Sequence, residues 1–198
     1  ASEINGLRRE VTELLNEQSS REKVHSTYHL KKDERKADAP YYTARFADPE
    51  AIPDRHPFKR IFIPVWCKDE DFVDNRAGVE LPRALFSCED KLTKRLEHLK
   101  KIGVKKALCS NLGAYRLAEK YSFEAYGDFG LNIFNSETAR LFNSPIISFE
   151  ATLEQINSVD AKDKGIIAYG TLPLMLTRNC PIKNHIGCQN CTGRLTDR

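Results

Sequence analysis

From Leu81 to Tyr169 short apolar runs alternate with amphipathic segments at a nearly even interval. Leu81–Phe86, Val104–Ser110, Phe123–Phe129, Pro145–Glu150 and Ile166–Tyr169 have the length and apolar content of strands. Between them lie helix patterns. Ser87 with Asp90 predicts a capped helix whose stripe is Leu92, Leu96, Leu99 and Ile102, with Gly103 as its stop. Leu112–Tyr121 predicts a helix with Leu112, Tyr115 and Leu117–Ala118 turned inward. Ser136–Phe142 predicts a short one capped by Asn135 or Ser136. Thr152 caps a last helix containing Leu153, Ile156 and Val159.

This βα alternation predicts a parallel sheet with right-handed crossovers. No glycine-rich phosphate loop follows any strand, which disfavours an open doubly wound sheet. The fold class expected is therefore α/β, with parallel βα repeats forming part of a TIM-like (β/α) barrel. Upstream, Tyr41–Phe46 and Arg60–Trp66 read as strands, and the acidic stretch from Lys68 to Glu80 as loop. Residues 18–40 are polar and lack apolar periodicity, so they read as a linker, with His25 and His29 solvated. Ile4, Leu7, Val11, Leu14 and Leu15 stand at helical spacing and predict a connecting helix over 1–17. The expected organisation is helix 1–17, linker 18–40 and partial barrel domain 41–198.

Composition narrows the class without choosing a function. A chain of 198 residues can bury one core, and 40% hydrophobic with 30% charged residues suits a water-facing globular domain. Its net charge of +3 is too mild to argue for nucleic acid. No apolar run is long enough to span a bilayer, so no membrane association is expected, and six cysteines without a signal-peptide layout favour a reducing compartment, so a cytoplasmic location is expected. The chain opens on a helix pattern without an initiator methionine, Met175 being its only methionine. The expectation is a piece of a longer protein whose remaining domains are its first partners.

The candidate chemistry lies at strand ends and in the tail. Cys180, Cys188 and Cys191 follow a C-x7-C-x2-C pattern, and thiolates at CxxC spacing reach one metal centre without distorting the backbone. Three thiolates are one short of a four-cysteine site. His185 completes a tetrahedral zinc set by spacing, and unliganded loop thiols are the bland alternative. Cys109 reads as a small hydrophobe within a strand, while Cys67 and Cys88 flank strands. Asp128 and Glu150 end neighbouring predicted strands, where carboxylates can serve as acid and base or hold a divalent ion. Capping helices or pairing with Arg178 is the blander reading of the two and the favoured one. Arg178 itself suits an anionic substrate, a cluster's charge or a structural salt bridge. Cys180 and His185 stand five apart, but spacing alone does not bring the imidazole to the sulfur. Neither HExxH nor GxSxG occurs, which weakens zincin and serine-hydrolase readings. The lysines between Lys94 and Lys106 fall on alternate helix faces and read as a solvated surface rather than a phosphate-binding one.

NLGAYRLAEKY, FEAYGDFGLNIFNSETARLF, SFEATLEQI and IAYGTLPLMLTRNCPI with GCQNC and LTDR together resemble the collagenase-like peptidase family, number thirty-two among peptidases of unknown catalytic type. The opening SEINGLRREVTELL resembles the junction after the inserted central domain of its long bacterial members. The resemblance covers most of residues 1–16 and about 81–198, and 18–80 contributes little. It implies a (β/α) barrel of which this chain is a C-terminal share. It also implies an iron–sulfur cluster on Cys180, Cys188 and Cys191, whose usual fourth cysteine lies beyond the pair matching Asp197–Arg198. Members carry a peptidase label, with no agreed catalytic residues to transfer; relatives act in RNA base hydroxylation or in oxygen-independent hydroxylation in quinone synthesis. The readings carried forward are nominal proteolysis with a cysteine-ligated centre, iron–sulfur-dependent RNA hydroxylation, and a zinc-stabilised module that binds protein, peptide or RNA. A partial barrel also presents a sheet edge at which copies can pair.

Overall fold

The computed structural model describes residues 2–18, 39–86, 88–173, 175–177, 179, 180, 183 and 189. The chain divides into two units, residues 1–32 and 33–198. The first contains helix α1, Ser2–Gln18, whose apolar stripe of Ile4, Leu7, Val11, Leu14 and Leu15 is exposed.

In the second unit five parallel strands run in chain order and curl into a half-barrel: β1 Tyr42–Arg45, β2 Phe58–Pro64, β3 Gly78–Glu80, β4 Lys106–Cys109 and β5 Glu124–Gly127. Strands that pair in sequence order with helical crossovers are the local geometry of a (β/α) barrel. The crossovers are α2, Asp69–Asp74, then α3, Glu89–Lys101, and α4, Leu112–Lys120. Past β5 come α5, Ser136–Ala139, and α6, Leu153–Ser158. Among the described residues the parallel order continues there as single bridges, Tyr126 to Asn143, Ile133 to Ile147 and Ile146 to Gly165.

Alternation along the strands sorts the residues onto two faces. Ile61, Ile63, Val65, Val79, Ala107, Cys109 and Ala125 point outward into the main core, where Leu92, Leu96 and Leu99 of α3 are fully buried. Burying three such leucines contributes about 2 kcal/mol each, enough to fix α3 on the sheet. The opposite parity faces the concave interior, where Phe62, Leu108 and Tyr126 form a separate buried cluster. Gly78 belongs to this inner set. A Cβ there would stand 2.6 Å from a Phe62 ring carbon and 3.0 Å from Lys106 Cβ. Gly78→Ala is therefore expected to cost about 2 kcal/mol by overpacking, read as a lower urea midpoint, and Phe62→Leu in the same chain should recover part of it.

Several expectations are corrected. The acidic stretch taken as loop contains α2 and β3. Its carboxylates, Asp69, Glu70 and Asp71, fill the first turn of α2, and Phe72 is its buried anchor. The strand expected at Leu81–Phe86 lies at Gly78–Glu80 instead. Leu81 still donates to the Leu108 carbonyl, at 3.0 Å, but Pro82 has no N–H with which to continue the ladder. Leu112, expected inward, is exposed at the first turn of α4. Asn135 caps α5 by accepting from Thr138 N–H, and Thr152 with Gln155 forms the capping box of α6. Pro145–Glu150 forms no continuous strand, and neither does Ile166–Tyr169, where Ile166 and Tyr169 are exposed. An apolar run becomes a strand only where a neighbour offers a ladder, and here the pairing ends at Gly165. The expected cap Ser87 and the linker histidines His25 and His29 lie outside the described residues.

Candidate functional site

The inner parity of the sheet ends in polar groups at the carboxyl ends of the strands. Arg45 closes β1, Glu80 closes β3, and Ser110 and Asp128 follow β4 and β5 directly. Lys106, Leu108 and Ser110 share one parity, as do Glu124, Tyr126 and Asp128. The same alternation that buries Leu108 and Tyr126 thus delivers Ser110 and Asp128 to one end of the interior. Arg45 Nη1 lies 3.4 Å from Glu80 Oε1 and 3.5 Å from Asp128 Oδ2. Ser110 Oγ donates to Asp128 Oδ2 at 2.5 Å, and both residues are buried. Burial pushes the Glu80 carboxyl above its usual range, and the Asp128 charge adds to this while Arg45 and Arg83 oppose it.

Around this cluster stand Arg83 and Phe129. The Arg83 guanidinium lies 5.1 Å above the Phe129 ring and that of Arg45 5.8 Å from it. Asn111 Nδ2 donates to the Arg83 carbonyl at 2.9 Å, holding this loop against the start of α4. Among the described residues no carboxylate lies within ion-pair distance of Arg83, which stands over Phe129 and acts on Glu80 through its charge. Gly130 brings the loop after β5 down onto Ser110, whose carbonyl oxygen would lie 2.5 Å from a Cβ there. The arrangement brings together two carboxyl groups of unequal environment, a hydroxyl donor and two guanidinium groups. Such a set can exchange protons and hold a developing anion.

Of the residues singled out from sequence, Asp128 is at this mouth, and it pairs with Arg45 and Ser110 rather than capping a helix. Glu150 is exposed. Its N–H donates to Ser148 Oγ at 3.3 Å, and among the described residues no hydrogen bond or ion pair joins it to Asp128. Cys180 is an exposed thiol. Arg178, His185, Cys188 and Cys191 lie outside the described residues. Cys109 is fully buried and burial pushes its thiol up to about 12, so it packs as a hydrophobe. Cys67 is half-buried and its thiol is likewise raised by burial, with the Asp71 charge adding to it. Among the described residues no group of three or more His, Cys, Asp or Glu side chains stands close enough to hold a metal ion. Arg45, Glu80 and Arg83 escaped the sequence reading. Their ion pairs and ring contacts join segments far apart in the chain, and the parity of Thr43 and Arg45 was the one local signal.

Comparisons with protein-family models, curated proteins and solved structures return no match for this chain. Among the described residues no helix is long and apolar enough to cross a membrane.

Proposed function

We propose that this chain is the barrel portion of an enzyme of the collagenase-like peptidase family, acting on peptide bonds at the carboxyl ends of its strands. The observation that carries this reading is the buried Asp128–Ser110 pair with Arg45 and Glu80 around it. Amide hydrolysis needs a base to activate water, an acid to protonate the leaving amine and a cation for the oxyanion. Asp128, held by Ser110 and Arg45, is the base. Glu80, whose carboxyl burial biases toward protonation, is the acid, and Arg83 faces the developing charge. The chemistry of the tail's donor set suits an iron–sulfur cluster on Cys180, Cys188 and Cys191, or zinc if His185 joins them. A cluster would supply one-electron chemistry there and zinc would supply structure.

Anaerobic purification of the chain, metal and sulfide analysis, and incubation with a collagen-derived peptide test the reading. New amino termini, lost in Cys180→Ser only as far as bound metal is lost, support hydrolysis. Iron and sulfide with a visible absorption band and no cleavage would move the assignment to RNA base hydroxylation. Stoichiometric zinc with no cleavage would move it to a binding module.

A further inference from the structure

The exposed stripe of α1 has a register that a generic amphipathic helix does not need. Ile4, Leu7, Val11 and Leu14 follow one another at intervals of three, four and three residues, the a and d positions of a heptad. They are 71%, 60%, 53% and 52% exposed. Both a positions are β-branched and both d positions are leucine, the combination that favours two parallel strands over trimers or tetramers. The b, c and f positions, Asn5, Gly6, Arg9, Thr12, Glu13 and Asn16, carry no large apolar side chain, so the apolar surface is confined to the seam.

The flanking charges specify orientation. Glu3, Glu10 and Glu17 occupy g, while Arg8 and Leu15 occupy e. In a parallel pair a g residue meets the e residue five positions further along the partner. Glu3 then faces Arg8 twice by symmetry, and Leu15 widens the apolar seam beneath the Glu10 stem. An antiparallel pair would set the glutamates of the two g edges against one another.

We propose that α1 is a homodimerisation element, forming a short parallel two-stranded coiled coil with a second copy of this chain. The proposal is independent of the chemistry at the strand ends. A closed two-fold pairing of identical stripes leaves no unpaired apolar surface behind. With little more than two heptads, the pairing depends on protein concentration.

Sedimentation equilibrium of the full chain over a concentration series tests this. The expected result is a mass rising from 22.6 kDa toward twice that value. Leu7→Glu with Leu14→Glu should return it to the monomer at every concentration. Glu3→Arg or Arg8→Glu alone should raise the dimer dissociation constant by about tenfold, since two symmetric attractions become repulsions. The two together should restore it. A chain that stays monomeric throughout overturns the proposal. So does a dimer that survives Leu7→Glu with Leu14→Glu, which would run through the sheet edge. Failure of the charge swap to restore pairing overturns the parallel register, and a melting temperature lowered by Leu7→Glu with Leu14→Glu at concentrations where the parent chain is itself monomeric would overturn the proposal, because the chain would then cover the stripe itself.

Discussion

Replacing Arg60 by alanine is expected to destabilise the half-barrel by about 3 kcal/mol, because it strands a partly buried carboxylate. Arg60 stands near the start of β2 with its guanidinium 4.3 Å from the Tyr126 ring centre and 4.9 Å from that of Tyr41. It donates to Tyr41 Oη at 2.6 Å and to Ser144 Oγ at 3.1 Å, and its Nη2 lies 3.5 Å from Asp163 Oδ2. Tyr41 and Ser144 both donate to Asp163 as well. This network ties the residue before β1 to the segment just before the Gly165 bridge, 122 residues away. For a domain of this size the loss corresponds to a melting temperature lower by about 6–12 °C. Asp163→Asn should cost less, about 1–2 kcal/mol, since the amide can still accept hydrogen bonds.

The pH dependence separates the two variants. Burial raises the Asp163 carboxyl, but hydrogen bonds from Ser144 and Tyr41 and the Arg60 charge outweigh it, so the group titrates below its usual range. A carboxyl depressed in the folded state contributes stability above its unfolded pKa and loses it as pH falls through the folded one. The gap between the parent chain and Asp163→Asn should therefore be full at neutral pH and close on acidification below the ordinary carboxylate range. A gap that stays constant down through that range would show that the ion pair is not what stabilises this end.

Opposite ends of the same inner face thus hold polar networks of different character. Around Arg60 the charges are mutually satisfied and join the first and last parts of the sheet. Around Asp128 the balance is left uneven: Glu80 is biased toward protonation and Arg83 has no described carboxylate partner. Parallel βα architectures divide stability and chemistry between the amino and carboxyl ends of their strands in this way. The division is why the proposed reacting groups are placed at Asp128 rather than in the cleft of about 410 Å³ beside Arg60, whose Arg60–Asp163 pair is already committed.

The parts legible in the sequence were those specified locally. The Leu92–Leu96–Leu99 stripe and the Thr152 cap each lie within one or two turns and appear as read, and of the two caps offered for α5 the structure uses Asn135. Asp128 could be placed at a strand end because its strand was visible. What failed depended on distant partners. Three residues, Gly78–Glu80, become a strand because β2 and β4 stand on either side. Ile166–Tyr169 has strand composition but makes no ladder beyond Gly165. Arg45 reaches Asp128 across 83 positions, a relation no local period encodes.

Under the proposed hydrolysis, Asp128→Asn is expected to lower peptide turnover by about 10²–10⁴-fold, the usual worth of a positioned general base, while leaving the fold intact. The side chains are nearly isosteric, and an amide oxygen still accepts from Ser110 Oγ, so the melting temperature should move far less than for Arg60→Ala. Glu150→Gln is the control: this carboxylate is exposed and joined to Asp128 by no described contact, so its turnover should match that of the parent chain. Glu80 supplies the pH signature. In the proposed role of acid it must be protonated, and because burial raises its pKa, activity should persist above the ordinary glutamate range and fall as pH rises through that shifted range. Glu80→Gln should remove that alkaline limb together with most of the rate. A profile that keeps the limb in Glu80→Gln, or full turnover in Asp128→Asn, would take the chemistry away from this mouth.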